Sequence, residues 1–317
     1  MSLVEKALRK LQAGKTALEP RPVAAPSAVT HAADPRPRQT RPPAIPVAPA
    51  PGPASAPTFE PRNSEILRLN TEELRSQGVL PPMNQEREIA TQFRTIKRPI
   101  IRFANEAEAA NDLTRRTVMV ASALPGDGKT FTSMNLAMSL ALELDFTVLL
   151  VDADAPKPRM SNTLRIEGKP GLLDVLSDPK RDVQDCILAT DVPRLHVLPV
   201  GRQSERATEL LASARMGEIV TQLAALYRRG IVLFDSPPIL LTNESRSLGA
   251  MLGQIILVVR AGITPQQAVK DAIAILGEGR RISLVLNSAE LSGPAGYYYG
   301  HGYGYEEPGA RPAADSG

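Results

Sequence analysis

The run Ala123-Leu124-Pro125-Gly126-Asp127-Gly128-Lys129-Thr130 has the residue types and spacing of a loop that wraps phosphate. Ala stands where such loops usually begin with Gly. Gly126 and Gly128 free the backbone to turn its N–H groups inward around anionic oxygens. A helix starting near Lys129 would aim its positive end at the same anion. Lys129 adds a point charge, and the Thr130 hydroxyl is placed to ligate Mg²⁺. Two later runs add carboxylates. Val148-Leu149-Leu150-Val151-Asp152-Ala153-Asp154 ends an apolar stretch in two acids two residues apart, which an extended strand puts on one face. Adjacent buried carboxylates repel, so they imply a cation nearby. Ile231-Val232-Leu233-Phe234-Asp235-Ser236-Pro237-Pro238 places Asp235 after four apolar residues, the setting of a second Mg²⁺-holding carboxylate.

The elements that must position these residues follow from the apolar pattern. Strands are predicted at Thr117–Ala123, Thr147–Asp152, His196–Val200, Ile231–Asp235, Gln254–Arg260 and Ile282–Asn287. Helices are predicted at Phe131–Leu144, Thr208–Tyr227 and Pro265–Leu276, with one or two more over Asn84–Phe103, interrupted at Pro99. Apolar strands alternating with helices predict an α/β fold, a doubly wound and mostly parallel sheet covered on both faces. Such sheets bind ligands at the carboxyl ends of their strands, where the phosphate run and the acids fall.

The 317 residues are 43% hydrophobic, enough for a sizeable core, and aliphatic because aromatics are 4% and Trp is absent. A formal charge of +3, from 37 basic and 34 acidic groups, argues against a nucleic-acid partner. The single Cys186 excludes an internal disulfide framework and suits a reducing cytoplasm. No apolar run reaches the roughly 20 residues that span a bilayer, and the start has no signal-peptide pattern. A cytoplasmic protein is expected, linked to a membrane only through a partner or a surface helix. His31, His196 and His301 lack metal-ligand spacing.

Four regions are expected. Residues 1–15 form a short amphipathic helix, with Val4, Leu8 and Leu11 on one stripe. Residues 16–63 hold all 13 prolines that precede Asn63 and read as a disordered linker. Residues 64–290 form the catalytic domain. Residues 291–317 form a flexible tail carrying Tyr297, Tyr298, Tyr299, Tyr303 and Tyr305, five of the chain's six tyrosines. Glycines between the rings prevent packing and present them on a loose strand. Beside a nucleotide site, they are candidate phosphoacceptors. The stretch from Asn287 to Tyr297 spans at most about 33 Å, enough for its own site after a sharp reversal or for a neighbour's in an oligomer.

Together the phosphate run, the Asp-x-Asp and the later Asp-x-Pro-Pro resemble the bacterial tyrosine kinases, in the ParA/MinD-like branch of phosphate-loop NTPases. Pro156, Pro158 and Arg159 follow the Asp-x-Asp as family kinases commonly have them. Arg206-Ala207-Thr208-Glu209-Leu210-Leu211-Ala212-Ser213, Val258-Val259-Arg260-Ala261-Gly262-Ile263-Thr264 and Leu284-Val285-Leu286-Asn287 resemble further family segments. The opening Met1-Ser2-Leu3-Val4-Glu5-Lys6-Ala7-Leu8 is similar to the start of exosortase-associated tyrosine autokinases. The resemblance implies an ATP- and Mg²⁺-dependent protein-tyrosine autokinase, acting in exopolysaccharide polymerisation and export. It implies nucleotide binding by Gly126, Asp127, Gly128, Lys129, Thr130, Phe131 and Asn287, the last near adenine. It implies Mg²⁺ held by Thr130, Asp152 and Asp235, and catalysis by Lys129, Asp152, Asp154 and Arg159. Either Asp152 or Asp154 would be the base. It implies homo-oligomers, a membrane-spanning polysaccharide co-polymerase as activator and an opposing tyrosine phosphatase. One departure bears on assembly: where family members often carry Glu-x-x-Arg-x-x-Arg, this chain has Thr91, Arg94 and Lys97. Two rivals remain, a ParA/MinD-like positioning ATPase and a nucleotide-binding scaffold without kinase activity. Against the first, the loop start Ala123-Leu124-Pro125 of this chain lacks the Lys that such ATPases use across a dimer, and neither explains the tyrosines.

Overall fold

The computed structural model describes residues 59–289. Segment 1–15, linker residues 16–58 and the tail with its five tyrosines lie outside the described residues. Eight strands form one sheet: β1 (Ile66–Leu67), β2 (Thr117–Ser122), β3 (Thr147–Asp152), β4 (Leu188–Thr190), β5 (Leu195–Leu198), β6 (Gly230–Asp235), β7 (Gln254–Arg260) and β8 (Ile282–Asn287). Their spatial order is β1-β4-β5-β3-β6-β2-β7-β8. Every neighbouring pair is parallel except β4 with β5. The expected doubly wound, mostly parallel sheet is thus the one the chain forms. The strands that periodicity does not reveal are β1 and β4, two and three residues long, too short for a period to register.

Burial explains the apolar strands. Along β3, Val148 and Leu150 enter one core while Leu149 and Val151 enter the other. Residues of β2, β6 and β7 alternate in the same way. One face is covered by α2 (Glu86–Asn105) and α3 (Lys129–Ala141), which pack on each other. The other is covered by α7 (Ala214–Leu226), α8 (Asn243–Met251) and α9 (Gln266–Leu276). The short α1 (Thr71–Ser76), α4 (Arg159–Thr163), α5 (Leu172–Ser177) and α6 (Ala207–Leu211) sit in the connections.

Two local expectations change. First, α2 runs unbroken through Pro99. Thr95 and Pro99 are both exposed, so the carbonyl that loses its bond is left to water. An interior Pro costs about 3 kcal/mol. Burying Phe93 and Ile100 returns roughly 1.5–3 kcal/mol each, so the helix survives. Second, the helix expected over Thr208–Tyr227 is two, α6 and α7. Ser213 accepts a hydrogen bond from the Met216 N–H at 3.3 Å and starts a new helix there. The structure also places Lys97, which the sequence left open. It is buried, and its Nζ donates to the Ser139 carbonyl at 2.6 Å and pairs with Glu143 at 2.8 Å. The last basic position of the altered Thr91–Lys97 stretch therefore ties α2 to α3 within one chain, while Arg94 stays exposed.

No helix among the described residues is long and apolar enough to cross a membrane.

Candidate active site

The crossover order sets the site. β3 and β6 are neighbours in register, with Asp152 opposite Asp235, so two carboxylates from distant runs end side by side. On the other side of β6 lies β2, whose end leads through the phosphate run into α3. Gly128 caps α3 in the left-handed region at φ 97°, and Gly126 lies there too at φ 87°. No side chain caps the helix, so its first-turn N–H groups are left for a ligand. A Cβ at Gly128 would sit 2.0 Å from the Asn287 amide nitrogen. Gly128→Ala thus combines backbone strain with a clash. It is expected to lose about 1–3 kcal/mol in urea unfolding and to weaken nucleotide binding in the same preparation.

Lys129 is buried at 8% exposure among carboxylates. Burial lowers its pKa, and the charges of Asp235, Asp154 and Asp127 oppose that shift. Asp235 accepts from the Thr130 hydroxyl at 2.8 Å and from the Ser133 hydroxyl at 3.0 Å. Burial pushes its pKa up to about 6. Asp152, wholly buried, is pushed up to about 7, first by burial and then by the Asp235 charge. Its Oδ2 accepts from the Ser161 N–H at 2.8 Å and the Ser161 hydroxyl at 2.7 Å. Asp154 comes to the site by a different route than expected. The strand ends at Asp152, and the Asp154 N–H folds back onto Asp152 Oδ1 at 3.2 Å, so the two-residue strand period does not place it. Burial raises the Asp154 pKa, and Lys129 pulls the other way.

The sequence-predicted residues largely converge. Lys129, Thr130, Asp152, Asp154 and Asp235 are gathered at the carboxyl ends of β3, β6 and β2. Arg159 opens α4 and is exposed, and its charge reaches both Lys129 and Asp154. The Phe131 ring turns away and packs near Phe93, with centroids 6.2 Å apart, so only its backbone is available to a ligand. Asn287, the last residue of β8, donates from Nδ2 to the Asp127 carbonyl at 2.9 Å. Ser133, Ser161 and Thr264 were not singled out. Ser133 lies three residues after Thr130, a helical spacing that could have found it. Ser161 and Thr264 carry no such signal: Ser161 sits in the short helix α4 and Thr264 in a loop, neither at a recognisable motif position.

The chemistry of this donor set fits a polyphosphate with a divalent cation. One buried Lys and uncapped helix N–H groups face an anion, while paired acids with raised pKa values need a cation or protons.

Known proteins agree. An AAA domain family model matches residues 115–268. Tyrosine-protein kinase YwqD of Bacillus subtilis is 33% identical over 213 residues, 66% of this chain and 85% of its own length. Putative tyrosine-protein kinase EpsB of Ralstonia nicotianae is 31% identical over 221 residues, 66% of this chain but 28% of its own length. The VpsO kinase domain superposes with a TM-score of 0.53 at 28% identity, covering 66% of this chain and all of that domain. With identity to YwqD running along 85% of that kinase's length, the chain belongs to the bacterial tyrosine kinase family.

Proposed function

We propose that this chain is an ATP-dependent protein-tyrosine autokinase whose acceptors are Tyr297, Tyr298, Tyr299, Tyr303 and Tyr305. The observation that carries the reading is the cluster of Thr130 with the buried Lys129, Asp152, Asp154 and Asp235 at the strand ends, in a chain with a crowded tyrosine segment. The backbone from Gly126 to Phe131 and the Lys129 ammonium hold the phosphates of ATP. Thr130, Asp152 and Asp235 hold Mg²⁺, which neutralises phosphate charge when bound. Asp152 is committed to this holding role because Ser161 and the Asp154 N–H occupy both its oxygens. Among the described residues Asp154 accepts only from the Lys157 N–H at 3.2 Å, which leaves it able to take a proton. Its raised pKa suits that task, since an unperturbed phenol titrates near 10 and needs a base close by. The tyrosine O–H gives its proton to Asp154, the phenol oxygen bonds to the γ-phosphorus, and the bond from that phosphorus to the ADP oxygen breaks. Arg159 steadies the charge that develops.

A neighbouring copy is the natural acceptor, because self-delivery over ten residues needs a sharp reversal. Five phosphates would add roughly −7 to −10 charges to the tail, and repulsion from an acidic site would then release it. That cycle suits control of exopolysaccharide polymerisation and export at the inner membrane face. A membrane-spanning activator and an opposing phosphatase complete it.

The test is incubation of purified full chain with labelled ATP and Mg²⁺, mapped by mass spectrometry. Label is expected on the five tail tyrosines, and their joint replacement by Phe is expected to remove it. Undiminished labelling of the Phe variant would overturn the reading. A labelling rate per molecule that does not change on dilution would overturn delivery between copies.

A further inference from the structure

Asp127 is out of place in a loop shaped for anions, because its carboxylate would repel the phosphates that Gly126 and Gly128 admit. The side chain is turned inward instead, with the residue 2% exposed. Its Oδ1 accepts from the Thr264 hydroxyl at 2.7 Å. Its Oδ2 accepts from the Leu124 N–H at 3.4 Å. Thr264 lies between β7 and α9, and its hydroxyl oxygen also accepts from the Arg260 N–H at 2.9 Å, which orients the O–H toward Asp127. From the end of the neighbouring strand β8, Asn287 donates to the carbonyl of the same residue. The Asn287 amide also fills the space that a Cβ on Gly128 would need. Asp127 is therefore gripped at its side chain from one strand end and at its carbonyl from the next.

We propose that Thr264 and Asn287 are positioning residues that act through Asp127, latching the phosphate loop in its anion-accepting shape before nucleotide arrives. The inference rests on the nucleotide site of the proposed function and adds how that site is preorganised. Glycines make the loop permissive, so its open shape must be imposed from outside. The latch does this without side chains in the phosphate path, and it places Asp127 where its charge supports Lys129. Asn287 is also the last residue of the final strand, so the segment that follows it starts at the latch.

The experiment uses the full chain and ADP with Mg²⁺, titrated by calorimetry, alongside amide hydrogen exchange of the nucleotide-free protein. Thr264→Val and Asp127→Ala are each expected to weaken ADP binding about tenfold, the size of one lost hydrogen bond to a charged group. The double variant is expected to bind no more weakly than either single one, because both break the same contact. Thr264→Ser keeps the bond and is expected to restore binding. Exchange is expected to quicken at residues 124–129 in the two damaging variants. ADP binding in Thr264→Val equal to wild type, or effects that multiply to about a hundredfold, would overturn the latch. So would faster exchange across the whole sheet, which would mark a general loss of stability. If wild type fails to bind ADP, the nucleotide reading falls, while the exchange pattern still judges the latch by itself.

Discussion

Asp235→Asn is expected to make the nucleotide-free protein more stable at pH 8 while removing tyrosine labelling. Asp235 is 1% exposed, and its carboxylate is pushed up from 3.8 to about 6 by burial. A carboxyl group with a raised pKa binds its proton more tightly in the folded chain than in the unfolded one. Its contribution is therefore fully present below the unfolded pKa near 4 and is lost as pH rises through about 6. Asp152 acts in the same direction up to about 7. Wild-type stability should fall between about pH 4 and pH 7. For Asp235 this rise corresponds to about 3 kcal/mol at most, and relaxation reduces the realised gain to about 1–3 kcal/mol. Asn fits because the two partners of Asp235 are hydroxyls, Thr130 and Ser133, which can rotate to accept from an amide. Urea unfolding at pH 4 and pH 8 checks the claim: the variant should gain at pH 8 and little at pH 4. A variant less stable than wild type at pH 8 would show that the acid pair is not a cost to the empty site. The same protonation predicts weaker binding of ADP with Mg²⁺ to wild type at pH 6 than at pH 8, since protons and cation compete for Asp152 and Asp235.

The second large effect is that of Lys129→Met. Lys129 is the buried cation facing Asp127, Asp154 and Asp235, and its charge holds down the pKa values of Asp154 and Asp235. Met has similar bulk but leaves the phosphates without that charge. Losing one preorganised electrostatic group of this kind costs about 10²–10³ in rate, so phosphotyrosine should vanish from protein expressed without other kinases. Without the ammonium the carboxylates protonate at still higher pH. The variant should thus show a steeper loss of stability from pH 5 to pH 8 than wild type, the reverse of Asp235→Asn. Phosphotyrosine retained at wild-type level, measured by immunoblot and mass spectrometry, would remove Lys129 from the mechanism.

Opposite pH trends from two neighbouring substitutions separate site chemistry from general damage. A disrupted fold would lower stability in both variants at every pH. The mechanism instead requires one to gain and the other to lose as the acids ionise.

Much of the site was legible beforehand because its residues announce themselves locally. Glycines before a Gly-Lys-Thr mark a phosphate loop, and beside one an acid at the end of an apolar strand reads as a metal holder rather than a helix cap. Strands β2, β3, β5 and β6 were legible because runs buried on both faces are apolar throughout, whereas the apolar β8 is largely exposed. Ser161 and Thr264 were not legible, since a hydroxyl in a short helix or a loop reads the same whether it faces water or a buried carboxylate. The place of Lys97 was not legible either, since only the packing of α2 on α3 brings it to the Ser139 carbonyl and to Glu143 just beyond α3.

The amino-acid order alone therefore determined the α/β class, the phosphate loop and the acids that could serve it, because periodicity and glycine placement act over a few neighbouring residues. Only the tertiary structure decided that β6 lies between β3 and β2, and that β7 and β8 close the far side. That order seats Asp152 beside Asp235 and brings Thr264 and Asn287 onto Asp127. The physical reason is that strand order comes from how whole helices and strands cover one another's apolar faces, a choice made across more than a hundred residues that no local pattern records.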